Sequence, residues 1–329
     1  MPRRLNRRAL MLSAVAVAAL PKRVIAQVGR RYRFGFLTLG NQATARVPLD
    51  AVKDGLKQLG YVEGLHYQIE PRYAQGRVEL LDQLAGDLVG LGVDIVLTQT
   101  TPAAAAAIRT TASLPIVVIA SGDLVAAKIV ESLARPGGNV TGLSFLGTEL
   151  AEKQMDFLKS MVPQAGHIGL LASQAFLPEL AFFDRMRRAS PQLGVSVSFI
   201  ETGSPADYDA AFGSLAAAKV DALVVASGNL NFTNWTDIIG IAAKLSIPAI
   251  YPTREAVGAG GLVSYGIDRS DFYRRAADYV DRILRGARPG DLSIRQPTQF
   301  VLAVNLKTAR ALGVSVSQSI LVQADEIVD

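Results

Sequence analysis

No cysteine occurs among the 329 residues of this chain. Disulfides, thiolate metal sites and a cysteine nucleophile are therefore excluded. Histidine is almost as scarce: His66 and His167 are the whole supply, too few for an imidazole-rich metal cage. Familiar catalytic and nucleotide signatures are missing as well. Gly35 and Gly40 do not supply a GxGxxG after the first apolar run. There is no GxxxxGK[ST], and no GxSxG with an accompanying acid and base. Asp268 and Asp271 read as helix-start acids rather than a catalytic pair. No nucleophile, base and orienting group assemble, so the expectation is a protein that is not an enzyme, without cofactor or metal.

A membrane span is lacking too. The apolar run from Ala9 to Leu20 is 12 residues, short of the roughly 20 that a spanning helix needs. Arg3, Arg4, Arg7 and Arg8 precede it, and Val24–Ala26 offers small or branched residues for signal-peptidase cleavage near Ala26. Residues 1–26 thus read as an export signal. The pair Arg7-Arg8, with Lys22-Arg23 beyond the apolar run, fits the twin-arginine route, and the general route stays open. This leader holds six basic and no acidic residues. Removing those six from the total of 34 leaves 28 basic against 29 acidic side chains. The basicity of the whole chain belongs to the leader, so nucleic-acid binding has no electrostatic basis. The expected location is the periplasm.

What is present is apolar residue in quantity, 50% of the chain, in a length that suggests two domains. From Arg33 onward short apolar runs alternate with longer amphipathic segments. Strands are expected at Arg33–Leu39, Tyr67–Pro71, Val93–Thr98 and Pro115–Ala120. Helices are expected at Leu49–Leu59 and Arg77–Leu91, whose leucines recur at three- and four-residue spacing. Pro102 opens an alanine helix after Thr101. The series restarts after Leu133–Gly142. Its strands are His167–Leu171, Val195–Ile200, Asp221–Ala226, Pro248–Tyr251 and Gly261–Tyr265. Its helices are Phe176–Gln192, Ala206–Ala218, Asn234–Leu245 and Ser270–Leu284. Such alternation implies an α/β fold of two doubly wound parallel-sheet lobes. The crossings between them are expected near Thr141–Ser144, Tyr265–Asp268 and Pro297–Phe300, which form a hinge. That assigns residues 31–143 plus 268–297 to an N-terminal lobe and 144–267 plus 298–329 to a C-terminal lobe.

Ligands of open parallel sheets bind beyond the carboxyl ends of the strands. Those ends here are rich in small polar residues: Gly40, Asn41 and Gln42; Gln99, Thr100 and Thr101; Ser121, Gly122 and Asp123; Gln174; Ser227 and Asn229; and Arg254. Thr101 as N-cap and Pro102 as first helical residue would leave free amides and a positive dipole end for an anion. The alternative is that Thr101 only caps its own helix. Gly122 permits close backbone approach, and Asp123 either accepts from a ligand or caps the segment after it. Ser144 lies at the first expected crossing. Phe176 is either a cleft wall or core, Trp235 reads as packing, and Tyr265 would cover the cleft. Arg254 either pairs with Glu255 or holds a polar ligand. Asn139–Thr141 and Asn231–Thr233 match the glycosylation triplet by chance.

Five longer stretches carry a family resemblance: GYVEG (60–64), SLARPGGNVTGLS (132–144), YPTREAVGAGGLVSYG (251–266), RRAADYVDRILRGARPGDL (274–292) and QPTQFVLAVNLKTARALG (296–313). From about Tyr32 to Asp329 the chain resembles the substrate-binding components of ABC importers. The family is the one that includes tryptophan- and tyrosine-binding lipoproteins. The resemblance implies a type I periplasmic-binding-protein fold that closes on one small solute. It also implies delivery to an ABC permease with its ATPase, and a monomer. Thr100-Thr101-Pro102 stands where that family has a Gly-Thr-x-Ala-like loop at the ligand. Ser121-Gly122-Asp123 stands at an Asp-Pro-Val-like turn, with Leu124 in place of the proline. Asn229, where many relatives carry an acid, supplies no full charge for an ammonium group. That leaves room for an aromatic or aliphatic carboxylate beside an amino-acid-like solute. Without a cysteine no lipid anchor is expected. The alternatives are a sensory module that reports to a membrane receptor, or an exported α/β enzyme.

Overall fold

A computed structural model describes residues 31–145, 147, 150–173, 177–228, 230–231 and 234–329. The expected leader lies outside the described residues. Two sheets organise the chain. The first contains β1 (Tyr32–Thr38), β2 (Tyr67–Tyr73), β3 (Ile95–Gln99), β4 (Ile116–Ala120) and β5 (Val140–Gly142) in the order β2-β1-β3-β4-β5. All of its pairings are parallel. Strands β3 and β4 are nearly continuous apolar runs because helices cover both of their faces. Phe34, Phe36, Ile95 and Leu97 face α1 (Gln42–Gln58), α9 (Arg269–Arg274) and α10 (Ala276–Leu284). Leu37, Val96 and Val118 face α2 (Leu81–Gly90) and α3 (Thr101–Thr110). A Phe→Ala change at a site as enclosed as Phe34 or Phe36, both 0% exposed, typically costs about 3–5 kcal/mol.

The second sheet contains β6 (His167–Ser173), β7 (Ser196–Thr202), β8 (Ala222–Val225), β9 (Ala249–Tyr251), β10 (Val263–Ile267), β11 (Phe300–Asn305) and β12 (Glu326–Val328). Their order is β12-β11-β10-β9-β8-β6-β7. On one face lie α4 (Leu150–Met161) and α5 (Leu177–Leu193). On the other lie α6 (Tyr208–Ala217), α7 (Trp235–Lys244) and α8 (Arg254–Gly258). The last two helices are α11 (Leu306–Ala311) and α12 (Gln318–Gln323). This sheet is not wholly parallel: β11 runs antiparallel to β10. The segment between them passes over the first sheet and returns from the other end, so no crossover helix on the second sheet is needed.

Several elements differ from the periodicity. Helix α1 begins at Gln42, seven residues before Leu49. Pro48 lies inside the helix, where it deletes one hydrogen bond, and a capping box between Asn41 and Thr44 holds the first turn. The segment expected as one helix from Arg77 opens with a short 3-10 turn, Val78–Leu80, before α2. The helix expected over Ser270–Leu284 is two, α9 and α10, meeting at Arg275. Among the described residues no helix is long and apolar enough to cross a membrane.

The chain passes between the sheet layers after β5, after β10 and before β11. Aromatic rings accompany each passage. Phe145 and Phe300 each pack against the cores of both layers. Phe145 meets Phe272 at 6.5 Å between ring centroids, and Tyr265 meets Phe300 at 5.9 Å and Phe157 at 5.0 Å.

Tyrosine hydroxyls tie α10 to the turn after α1 and to the segment that follows α10. Tyr61 donates to Asp281 Oδ1 at 2.8 Å, and Tyr279 to the Ser293 carbonyl at 2.8 Å. Burial first, then the bond to Asp281, pushes Tyr61 up to about 12; burial pushes Tyr67 and Tyr279 to about 12. These groups keep their protons in the fold where an unfolded chain, with a tyrosine near 10, loses them. Their contribution is complete below pH 10 and is lost as pH rises through about 12. Urea unfolding across that window should show falling stability, with a shallower fall in Tyr61→Phe; an unchanged slope in that variant would contradict the assignment.

Candidate ligand-binding site

Parallel pairing brings the carboxyl ends of β1, β3 and β4 to one edge, where Thr38, Gln99 and Ala120 stand level in register. At the end of β1, Thr38 Oγ1 accepts from Gly40 N at 3.1 Å. A Cβ on Gly40 would collide with Thr44 Oγ1, so a larger residue there would displace the hydroxyl that completes the capping box. Asn41 Oδ1 accepts from Thr44 N at 3.0 Å and Thr44 Oγ1 accepts from Asn41 N at 3.0 Å. Asn41 therefore serves its own helix, and Gln42 is exposed in the first turn.

The end of β3 is different in kind. Thr98 is 0% and Gln99 7% exposed. Thr98 Oγ1, Gln99 Oε1 and Thr100 Oγ1 are buried without a hydrogen-bond partner among the described residues. Buried polar atoms of this sort number only a few per hundred residues in native proteins. Thr100 also adopts φ 90° and ψ 146°, a region close to glycine's own, at a cost of roughly 1–3 kcal/mol for a side chain with a Cβ. Its N–H donates to the Ala120 carbonyl at 2.8 Å, which holds the kink.

Helix α3 starts at Thr101 with Thr100 as N-cap, and no side chain caps it. The expectation that Thr101 is the cap is corrected. Its hydroxyl instead lies 2.8 Å from Ser121 Oγ. In the first turn Pro102 has no N–H, and Ala104 N donates to the Thr100 carbonyl at 3.2 Å. Thr101 and Ala103 thus carry the amides that first-turn geometry leaves open. Ala103, Ala104, Ala106 and Ala107 are at most 2% exposed. Larger side chains there would push the helix off the sheet and its positive end away from the edge.

At the end of β4, Ser121 is 8% exposed. Its carbonyl accepts from Phe145 N at 2.8 Å, and the Gly122 carbonyl accepts from Ser144 Oγ at 2.7 Å. Ser144 is 0% exposed, so it supports the β4 turn from behind. Asp123 Oδ1 accepts from Val125 N at 3.0 Å and Ala126 N at 2.9 Å. It caps the following turn, as the second of its two expected readings has it.

From the second sheet, Ser227 approaches the first passage between layers: a Cβ on Gly147 would lie 3.4 Å from Ser227 Oγ and 3.2 Å from the Phe145 ring. Asn231, 2% exposed, donates to the Leu171 and Ala226 carbonyls at 3.2 and 3.0 Å and shapes the loop that carries Ser227. Asn139 Nδ2 donates to the Thr111 and Leu114 carbonyls, so the asparagines of both glycosylation triplets are structural. Gln174, Phe176 and Asn229 lie outside the described residues.

Arg254 and Tyr265 belong, respectively, to the helix that follows β9 and to the second sheet. Arg254 pairs with Asp268 at 3.1 Å and Glu326 at 2.6 Å, not with Glu255. Tyr265 packs between Phe157 and Phe300, where burial raises its hydroxyl's pKa above the ordinary value. Among the described residues no cluster of His, Asp or Glu could hold a metal ion. Sequence reasoning missed the part played by Asn231 and by Gly147, which rests on distant neighbours.

A profile described as ABC transporter substrate binding protein matches residues 44–328. The chain is 27% identical over 277 residues to a tyrosine-binding protein of Clostridioides difficile, covering 83% of this chain and 79% of that one. Its fold matches a conserved domain protein from Vibrio cholerae with a TM-score of 0.82 at 26% identity, over 91% of this chain and 100% of that one. It matches the ABC domain in complex with L-Trp from Streptococcus pneumoniae with a TM-score of 0.81 at 24% identity, over 91% and 100%.

The strain at Thr100 has a thermal signature. Thr100→Gly should raise the melting temperature by about 2 °C, the net of relieved strain against glycine's greater chain entropy. Thr100→Ala, which keeps a Cβ, should give no such gain. Calorimetry of the two variants checks this, and a lower melting temperature for Thr100→Gly would contradict it.

Proposed function

The chain belongs to the ABC transporter substrate-binding protein family, and from that membership we propose that it is the solute-binding component of an importer. Exported with cleavage near Ala26, it works in the periplasm. It binds a small carboxylate-bearing solute, aromatic or amino-acid-like, between two lobes and delivers it to a membrane permease driven by an ATPase. The lobes are residues 31–143 plus 268–297 and 144–267 plus 298–329. The observation that carries the reading of the site is the mouth of α3, where open amides meet the buried Thr98 and Thr100 hydroxyls, which have no partners among the described residues.

The solute's anionic group docks at Thr100–Ala103. Open amides and the positive helix end favour a carboxylate, each charge-assisted hydrogen bond contributing about 1.5–3 kcal/mol. The second lobe then closes, bringing Ser227 and its loop over the solute. Contacts made only in the closed form must drive that step, since a ligand shifts an equilibrium only by its differential affinity. The C. difficile relative named for tyrosine and the neighbour holding L-Trp support an aromatic side chain.

Mass spectrometry of small molecules released from the purified protein should yield a carboxylate, which calorimetric titration can then re-bind. Thr100→Ala combined with Thr101→Ala should weaken it at least tenfold, about 1.4 kcal/mol. Unchanged affinity in the double variant would refute the placement at α3.

A further inference from the structure

The two sheets have four outer strands, β2, β5, β7 and β12. Native sheets blunt such edges with short strands, proline or lysine, because a free edge pairs with another chain. Three of the four follow that rule. Strands β5 and β12 are three residues each. In β2, Ala74 N donates to the Thr38 carbonyl, so the amides of even-numbered residues face β1 and those of odd-numbered residues point outward. Pro71 has no N–H to offer on that outer side. Strand β7 is different. It is seven residues long, Ser196–Thr202, and has neither proline nor lysine. Ser196 N donates to the Gly166 carbonyl at 2.8 Å on the β6 side, so the backbone groups of Val197, Phe199 and Glu201 point away from the sheet. Their side chains share one face, where Phe199 meets Phe183 of α5 at 5.1 Å between ring centroids. Helix α5 joins two parallel strands and so runs back along β7. Leu180, 43% exposed, and Arg187 stand on the same side of α5 as Phe183, three residues before it and four after. Four helical residues rise about 6 Å and two strand residues span about 7 Å, which sets Arg187 level with Val197. Arg187 and its partner Asp184 are both exposed, and Glu201 is exposed with no ion pair among the described residues.

We propose that β7 is the seam of a homodimer, in which a second copy of this chain adds its own β7 antiparallel about a two-fold axis at Phe199. In that register the two Phe199 residues face each other, and Val197 faces the partner's Glu201. Each outward amide then meets an outward carbonyl. The charges match as well. The partner's Glu201 arrives level with Arg187, and the symmetry makes that contact twice. Such an isologous pairing closes on two copies instead of growing into a filament. It also leaves the passages between the layers free, because β10 and β11 are separated from the seam by β9, β8 and β6. The dimer departs from the monomer that the family resemblance implies, and it does not depend on where the solute sits.

Analytical ultracentrifugation of the purified protein over a range of concentrations should show the mass of two chains, dissociating on dilution. Glu201→Arg sets like charges against each other twice per dimer and should weaken association about tenfold or more. Arg187→Glu should do the same. The double variant, Glu201→Arg with Arg187→Glu, should bring association back to within about threefold of the unaltered protein. Val197→Pro removes an outward amide that no bond within the fold uses, and it should also leave single chains. The charge variants keep the strand intact and decide the matter if the proline variant fails to fold. A single-chain mass at every concentration overturns the proposal. So does a dimer that survives Glu201→Arg, or one that the double reversal does not restore.

Discussion

Every strand of the first sheet runs in the same direction, and that constraint collects all of its carboxyl ends along one edge. A parallel pair cannot be closed by a tight turn, so each strand must be followed by a crossing segment, mostly helical, that starts at the same edge. The site at that edge is thus a consequence of pairing geometry before any side chain is chosen. The residues then refine it. Thr100, held to Ala120 by its backbone amide, turns the chain sharply enough that α3 begins at once. Alanine on the buried side lets that helix lie close. A helix start pressed against three strand ends is a positive, donor-rich spot with no lysine or arginine in its making.

The β4 turn and the first passage between layers form one hydrogen-bonded unit. Ser121 and Gly122 offer their carbonyls to Phe145 and Ser144, and Gly147 then runs beside Ser227 from the other sheet. The first sheet's edge and the second sheet's loop therefore approach each other through a segment a few residues long. The aromatic rings at the passages reinforce this, because Phe145 and Phe300 belong to both cores at once.

Arg254 holds Asp268 and Glu326, joining the start of α8 to the entry of α9 and to the terminal strand. Asp268 also caps α9 through Asp271 N. These half-exposed pairs contribute modestly to stability, and their main effect is geometric. The start of α3 itself presents neutral oxygens and amides.

Much of this was legible in the order of residues. Alternating apolar runs disclosed the two α/β layers, five motifs disclosed the family, and the strand ends pointed to Gln99, Thr100, Thr101 and Ser121. Those signals are local, since periodicity and turn chemistry act over a few residues. The sequence did not disclose which hydroxyls face inward: Ser144 and Ser121 look alike as text, yet one supports the turn and the other meets Thr101. Nor did it disclose the left-handed Thr100, the antiparallel β11, or partners of Arg254 that lie 14 and 72 positions away. Those features depend on register and on close approach between distant segments, and such contacts exist only once the sheets have assembled.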